Sequence, residues 1–598
     1  FILRTIFLSA LGVTIIGILA AASLINYPQA FFDNHIASTM GYHNTLATFL
    51  VAAILIGLSL LAEEKNRWWQ LLYSISNYFM MLVIMAAVSK GAWLILVLGV
   101  VMMFIGMPQG YRMKVFYYLF LAVAPAIIIS NYFMTAIFSA KPSTGMVFVI
   151  VGITLVMGGW FLWRYIDSWL NSVKLSRPAV IGLITMIIIL LILTINLVGL
   201  SDRITKEISE VTDIQHLSYV TRVDFMRWAI DIIQDYPITG AGAGGWAALY
   251  RQYQDYQFWS AEAHSHIFQV GVEAGLMGVL AFSSIWMLFI ILLYRLYIIH
   301  RDREEKEEWI LICGAAVAAI GLGIHSCFDF DLSLPSMAIL LWSLFALISA
   351  FYQQHSREFR IKISRSWINV AISALLLLIL YISSCQYLLA HFQFQTGLKK
   401  FQAAQADQQV VRSEQLLQAG THFSQAVIND SLNAEYWSYL AYWRCYCCLL
   451  FNEQDQEKAA TFREKSIVAA NQALDLDPYN AEINQRLMQN LVNMGDPAGA
   501  IRSGRLLIKT MPNDPQSYVR TTELWWYASQ YFEKNGRHDF ALDFAGEIIM
   551  LDEALQNQLK KVEIDHPLWQ GEKLTTIPEY EQIYRQARDF ITADRNEK

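Results

Sequence analysis

The sequence predicts an all-α fold: a polytopic helical membrane domain of about eleven transmembrane helices, followed by a soluble helical-repeat domain. Charge distribution, long apolar runs and the placement of basic residues together predict it. Asp, Glu, Lys and Arg make up 16% of the 598 residues, against about 25% in an average soluble domain. Residues 1–390 carry about 45 of those charges, near 12%, and residues 391–598 about 49, near 24%, so only the second part has the charge density of a water-soluble fold. The predicted domains are therefore 1–390, in lipid, and 391–598, in water. A fully soluble enzyme, a disordered chain and a secreted disulfide scaffold are excluded.

Crossing a hydrocarbon core of roughly 30 Å takes about 20 apolar residues as helix. Runs of about that length occupy approximately 3–24, 44–62, 67–88, 91–108, 115–138, 144–163, 178–199, 266–297, 308–325, 334–352 and 366–389. The first is too long, and lacks a small-residue cleavage site, for a signal peptide. The chain opens on Phe1 rather than Met, so upstream residues are expected. Basic residues fall in alternate short loops: Lys65/Arg67, Arg112/Lys114, Arg164/Lys174/Arg177, Arg295/Arg301/Arg303/Lys306 and Arg357/Arg360/Lys362/Arg365. The positive-inside rule places all five on the cytoplasmic face. The opposite face, periplasmic in a double-membrane bacterium, then receives the loop 200–263, the turn His325–Pro335 and the tail. That face is where a bacterial inner-membrane protein meets exported substrates.

Net charge is −6, and no basic stripe or nucleic-acid motif is present, so a DNA or RNA partner is not expected. The tail reads as helical repeats: Gln425-Ala426-Val427…Asn433-Ala434-Glu435 recurs as Gln472-Ala473-Leu474…Asn480-Ala481-Glu482, and Pro478 is followed by Pro512. This spacing resembles tetratricopeptide repeats, antiparallel helix pairs that nest through small residues. Cys445, Cys447 and Cys448 have no strand–helix context or His partner, so buried thiols or one disulfide are expected rather than a redox or metal centre.

Four external segments carry candidate chemistry. His264 and His266 open an apolar run immediately after the long loop, followed by Gln269 and Glu273. An imidazole there reaches solvent beside lipid headgroups and suits proton abstraction from a hydroxyl, although interfacial polar residues are the plainer reading of these two alone. Arg222 and Arg227 precede the turn Pro237-Ile238-Thr239-Gly240-Ala241-Gly242, and guanidinium groups pair bidentately with phosphate. The glycine run lacks the Lys-Ser/Thr of a nucleotide loop and reads as a helix-terminating turn. Lys90 starts an apolar run on the same face, where a lysine also simply snorkels. His325, Asp329 and Asp331 form an ordered turn whose ligand set is too poor for a metal.

Together these segments resemble the bacterial O-antigen ligase and polymerase superfamily of membrane glycosyltransferases, which includes Wzy-type polymerases and O-linked protein oligosaccharyltransferases. Ser38-Thr39-Met40-Gly41-Tyr42-His43-Asn44-Thr45-Leu46-Ala47 is similar to its Gly-x-x-Asn-x-x-Ala element. Ser89-Lys90-Gly91-Ala92 is similar to its Ser-Arg-Gly-Ala element, with Lys in place of Arg. Arg222 with Pro237–Gly242 and His264 through Gly278 resemble two further blocks, with Ser265 where Asn is common. The resemblance covers residues 35–352. It implies metal-independent, inverting transfer from an undecaprenyl-diphosphate-linked glycan to a glycan, lipid or protein acceptor, with no cofactor. Lys90 and Arg222 would hold the diphosphate and His264 would activate or orient the acceptor hydroxyl. Arg227, His266, Gln269, Glu273 and Asp329 would contact substrate. Polyprenyl lipid and bilayer are the implied partners, with a protein partner through the repeats. The alternative is a membrane scaffold whose tetratricopeptide-like tail recruits a protein while the ancestral site has decayed.

Overall fold

The computed structural model describes residues 1–170, 217–301, 303–304, 306–355, 367–406, 411–452, 455–575 and 577–597. The expected span 178–199 lies outside the described residues, as do Lys174, Arg177 and the basic loop Arg357–Arg365. Among the described residues the fold is all-α, and the only sheet is a two-residue antiparallel pair, Phe31–Phe32 with His35–Ile36. The chain divides into two compact units: Phe1–Gly240 with Glu262–Ile361, and Ala241–Ala261 with Lys362–Lys598.

In the first unit the helices are α1 (Ile2–Ala21), α2 (His43–Glu63), α3 (Arg67–Ala87), α4 (Lys90–Gly106), α5 (Gln109–Phe138), α6 (Pro142–Leu170), α7 (Leu217–Asp235), α9 (His266–Arg301), α10 (Glu307–His325) and α11 (Pro335–His355). The second unit holds α8 (Gly245–Tyr253) and α12 (Trp367–Ala406). Nine described helices are long and apolar enough to cross a bilayer, namely α1, α2, α3, α5, α6, α9, α10, α11 and α12, with α4 as a shorter apolar helix. These match the ten expected runs that fall on described residues. The protein is a multi-pass membrane protein.

Helix α2 is apolar all round because it is buried all round. Helices α1, α3, α4, α5 and α10 pack against it, and small residues permit the close approaches: a Cβ on Gly99 would lie 2.7 Å from Leu55 Cδ1. Helix α9 is the opposite case, with Leu276, Leu280, Met287, Leu288 and Ile290 each more than half exposed. Such a face, on a helix long and apolar enough to cross a bilayer, suits lipid.

In the tail, consecutive helices pack as hairpins: α12 with α13 (Val411–Asn429), α14 (Ala434–Phe451) with α15 (Gln456–Leu476), α16 (Ala481–Asn493) with α17 (Pro497–Thr510), and α18 (Pro515–Lys534) with α19 (His538–Lys561). Helix α20 (Pro578–Glu597) closes the series against α18 and α19. The repeated Asn-Ala-Glu is a helix start each time. Asn433 Oδ1 accepts from Glu435 N and Tyr436 N, and Asn480 Oδ1 accepts from Ile483 N, satisfying backbone donors that the first turn leaves open. Cys445, Cys447 and Cys448 are buried free thiols, and burial pushes the first two up to about 12.

One expectation changes in kind. Residues 241–261, read as part of an external loop of the membrane domain, are structurally part of the tail unit. Asp255 O accepts from Glu563 N at 2.7 Å and Gln257 O from Gln570 N at 2.8 Å. Tyr256 stacks on His566 with ring centroids 3.7 Å apart. The chain thus leaves the first unit at Gly240, between Arg222 and His264, and rejoins it at Glu262.

Candidate active site

The turn between α10 and α11, expected from the sequence as an ordered turn, is the hub of the candidate site. His325, at the end of α10, donates from Nδ1 to Asp331 Oδ2 at 2.5 Å, and Thr45 of α2 donates to Asp331 Oδ1 at 2.7 Å. Both His325 and Asp331 are buried. This interlock fixes the backbone between them, because burying a carboxylate is tolerable only when its lone pairs are filled.

Asp329 sits in the fixed stretch, 1% exposed. Its Oδ1 accepts from Phe330 N at 2.8 Å, and its Oδ2 accepts from Asn44 Nδ2 at 3.2 Å and Tyr42 at 3.4 Å. Asn44 also donates to the Tyr42 hydroxyl at 2.7 Å. This is the physical content of the Tyr42–Ala47 element: its polar residues fasten α2 to the turn. Burial, aided by the neighbouring Asp331 charge, pushes the Asp329 carboxyl up to about 6, against the pull of His325 and Arg222.

Arg222 reaches the same turn from α7. Its Nε donates to Phe328 O at 3.0 Å, and one terminal nitrogen lies 3.7 Å from Asp329 Oδ2. The side chain keeps 27% of its surface exposed, so the guanidinium is anchored to the turn while part of the side chain reaches the surface. Arg227 is five residues on, about 140° round the helix; it pairs with Asp224 at 3.1 Å and is half exposed.

His264 lies just before α9 with φ +49°, a left-handed conformation uncommon for a residue with a Cβ. Its ring stacks on Phe225 of α7 at 5.2 Å and meets Phe330 of the turn edge-on at 4.9 Å. Burial, and secondarily the Arg222 charge, lowers its pKa to about 4, so the imidazole is neutral at physiological pH. Its Nδ1 is buried without a hydrogen-bond partner among the described residues.

His266 separates from His264. Its backbone N donates to Ser326 O at 2.8 Å, while its ring packs edge-on against Phe282 at 5.2 Å. Gln269 and Glu273 are committed to bracing the loop: Gln269 Oε1 accepts from Ala263 N at 2.9 Å, and its Nε2 donates to Glu273 Oε1 at 2.7 Å. Lys90 opens α4, where Ser89 caps the helix by accepting from Ala92 N. The neighbouring Gly91 abuts the hub, since a Cβ there would lie 2.7 Å from His325 Nε2 and 2.9 Å from Phe328 Cε2.

The glycine block has a structural role of its own. Helix α9 breaks at Gly275, where φ is +62°, and the backbone donors freed at the break bind the preceding turn. Leu276 N donates to Pro237 O at 2.9 Å and Met277 N to Ile238 O at 3.3 Å. A Cβ on Gly275 would strike Ile238 O and Gly240 N, and one on Gly240 would strike Glu273. Two motifs some 35 residues apart are thus one backbone-to-backbone lock, which sets the entry angle of the segment carrying His264. Sequence reasoning missed Phe225, Phe330, Tyr42 and Asp331 as site residues, although all four stood in segments already singled out.

Fold and site together define a multi-pass helical membrane protein with a half-buried histidine and an anchored arginine converging on one inter-helix turn. Residues 132–283 match the family model described as O-antigen ligase. That stretch holds Arg222, His264, His266, Gln269 and Glu273, and the match supports the O-antigen ligase and polymerase superfamily. O-antigen ligase-type glycan transfer is the activity class that comes with it. No curated protein matches the chain.

Proposed function

We propose that the protein transfers or polymerises a glycan from a polyprenyl-diphosphate donor onto an acceptor hydroxyl, at the periplasmic face of a bacterial inner membrane and without a metal. The observation that carries this reading is the meeting of Arg222 and His264 at the turn 325–331, one through Phe328 and Asp329, the other through Phe330. The partly exposed Arg222, with Lys90 at the start of α4, would take the diphosphate. His264 would accept the hydroxyl proton as the acceptor oxygen bonds to the anomeric carbon. The bond from that carbon to the phosphate oxygen breaks, and the diphosphate leaves with the electron pair.

An imidazole with a pKa of about 4 is a feeble base. A bound diphosphate reverses one cause of that value, because its negative charge offsets the Arg222 field. Donor binding thereby removes the smaller, Arg222 part of the lowering, while burial, the larger cause, remains. Asp329, buried and bonded, acts by positioning Arg222 and not by touching substrate. Gln269 and Glu273 act likewise on the loop that holds His264.

The tail would bind acceptor or growing glycan. A cavity of about 450 Å³ lies within its unit, lined by Gln252, Arg505, Lys509, Tyr518, Trp525 and Glu547 among others, a mixture of aromatic and charged groups suited to a polar chain. Its helix hairpins are read as tetratricopeptide-like.

The test is transfer by the purified full chain in proteoliposomes loaded with a lipid-linked glycan. Transfer by the native protein, abolished in His264→Ala and Arg222→Ala, is expected. Unchanged transfer in both variants overturns the mechanism.

A further inference from the structure

The far ends of α9, α10 and α11 carry a second cluster, unrelated to the turn 325–331. His300 is the penultimate residue of α9, Glu308 lies in the first turn of α10, and His355 is the last residue of α11. His300 Nε2 is 3.1 Å from Glu308 Oε2, and His355 Nε2 is 3.0 Å from the same oxygen. His300 is 1% exposed, the His355 side chain 11% and the Glu308 side chain 28%.

The other nitrogen of each ring decides the chemistry. His300 Nδ1 lies 2.9 Å from Leu296 O, and His355 Nδ1 3.0 Å from Phe351 O. A carbonyl only accepts, so each Nδ1 carries the proton and each neutral ring turns a bare Nε2 lone pair towards Glu308. Three acceptor atoms then converge with no proton among them. Either both rings are imidazolium, or a cation sits between them. Backbone carbonyls on Nδ1 are how metal-bound histidines are oriented.

We propose that His300, His355 and Glu308 bind a divalent transition-metal cation of the Zn²⁺ class, as a structural tie between the ends of three membrane helices. Two imidazoles and a carboxylate form a recognised set for such ions, with an open position for water. Tetrahedral coordination at about 2.0–2.2 Å puts ligand atoms roughly 3.3 Å apart. The three ligand atoms here lie within 4.8 Å of one another. Nearby cations do not occupy the gap: Lys306 Nζ donates to His300 O and Arg301 O, and Arg303 stays 3.8 Å from Glu308 Oε2. Helix α9 spans roughly 50 Å, so the ion is remote from His264 and has no part in transfer.

The experiment uses the purified full chain in detergent, stripped with a chelator and titrated with Co²⁺ and then Zn²⁺. Expected are one equivalent retained through gel filtration, visible ligand-field bands with Co²⁺, no thiolate charge-transfer band from the cysteines, and a higher Tm on loading. His300→Ala and His355→Ala should each weaken binding at least tenfold, while His391→Ala, on the exposed face of α12, should not. A native chain that retains no ion and shows no Co²⁺ bands overturns the proposal, and so does retention that survives both cluster variants. The titration of the native chain decides the matter even if a variant fails to fold.

Discussion

The two ends of α9, α10 and α11 both gather histidines and carboxylates, yet they are wired for different chemistry. At one end His325 gives its Nδ1 proton to Asp331, and His264 keeps a buried Nδ1 with no hydrogen-bond partner among the described residues. At the other, His300 and His355 give theirs to backbone carbonyls four residues back. A carboxylate on Nδ1 makes a histidine a fixed strut. A carbonyl on Nδ1 aims a lone pair outward. An apolar sandwich with a nearby guanidinium leaves a neutral ring whose basicity follows what binds beside it. The same residue type serves three ends, and the partner of one nitrogen selects which.

The largest expected effect falls on His264. His264→Ala should lower transfer by roughly 10²–10⁴-fold, measured as turnover of a lipid-linked donor. Gly275→Ala should come next, because the added Cβ meets backbone atoms and the residue sits at positive φ. A loss of about 2–4 kcal/mol of stability is expected, seen as a lower Tm of the full chain. Asp331→Ala tests the strut: it leaves His325 and Thr45 buried without their acceptor and should cost about 1–3 kcal/mol, again read as Tm. An Asp331→Ala protein as stable as the native one breaks the contrast between strut and base.

The smallest effect is on pH dependence. His264 has a pKa of about 4 when folded against 6.5 for the free side chain. Between those values the unfolded chain binds the proton and the folded one does not, so this residue makes stability fall as pH drops. Asp329, raised to about 6, acts in the opposite direction in both proteins. The Tm lost between pH 7 and pH 5 should therefore be smaller in His264→Gln than in the native chain, by roughly 1–3 °C.

Much of this was legible in the sequence, for identifiable reasons. Apolar runs report their own burial in lipid or core, so the described spans fell where the hydropathy placed them. The repeated Asn-Ala-Glu announced helix starts because capping is local. Arg222 and His264 stood out as polar residues beside apolar helices. What the sequence hid depends on contacts across hundreds of residues. Asn44 meets Asp329 across 285 positions, and no local pattern encodes that. Asp329 and Asp331, two residues apart, looked equivalent, yet one holds Arg222 and the other His325. His300, Glu308 and His355 carried no signal in the sequence, because their convergence arises only when three helices are laid side by side. The splice of residues 241–261 into the tail unit was hidden for the same reason.

The most direct test is a steady-state comparison of Arg222→Ala and His264→Ala, with donor concentration varied. A diphosphate clamp and a separate base predict a raised donor KM for Arg222→Ala, and for His264→Ala a lowered kcat with donor KM little changed. The reverse assignment, with His264→Ala raising donor KM and Arg222→Ala leaving it unaltered, would contradict the account.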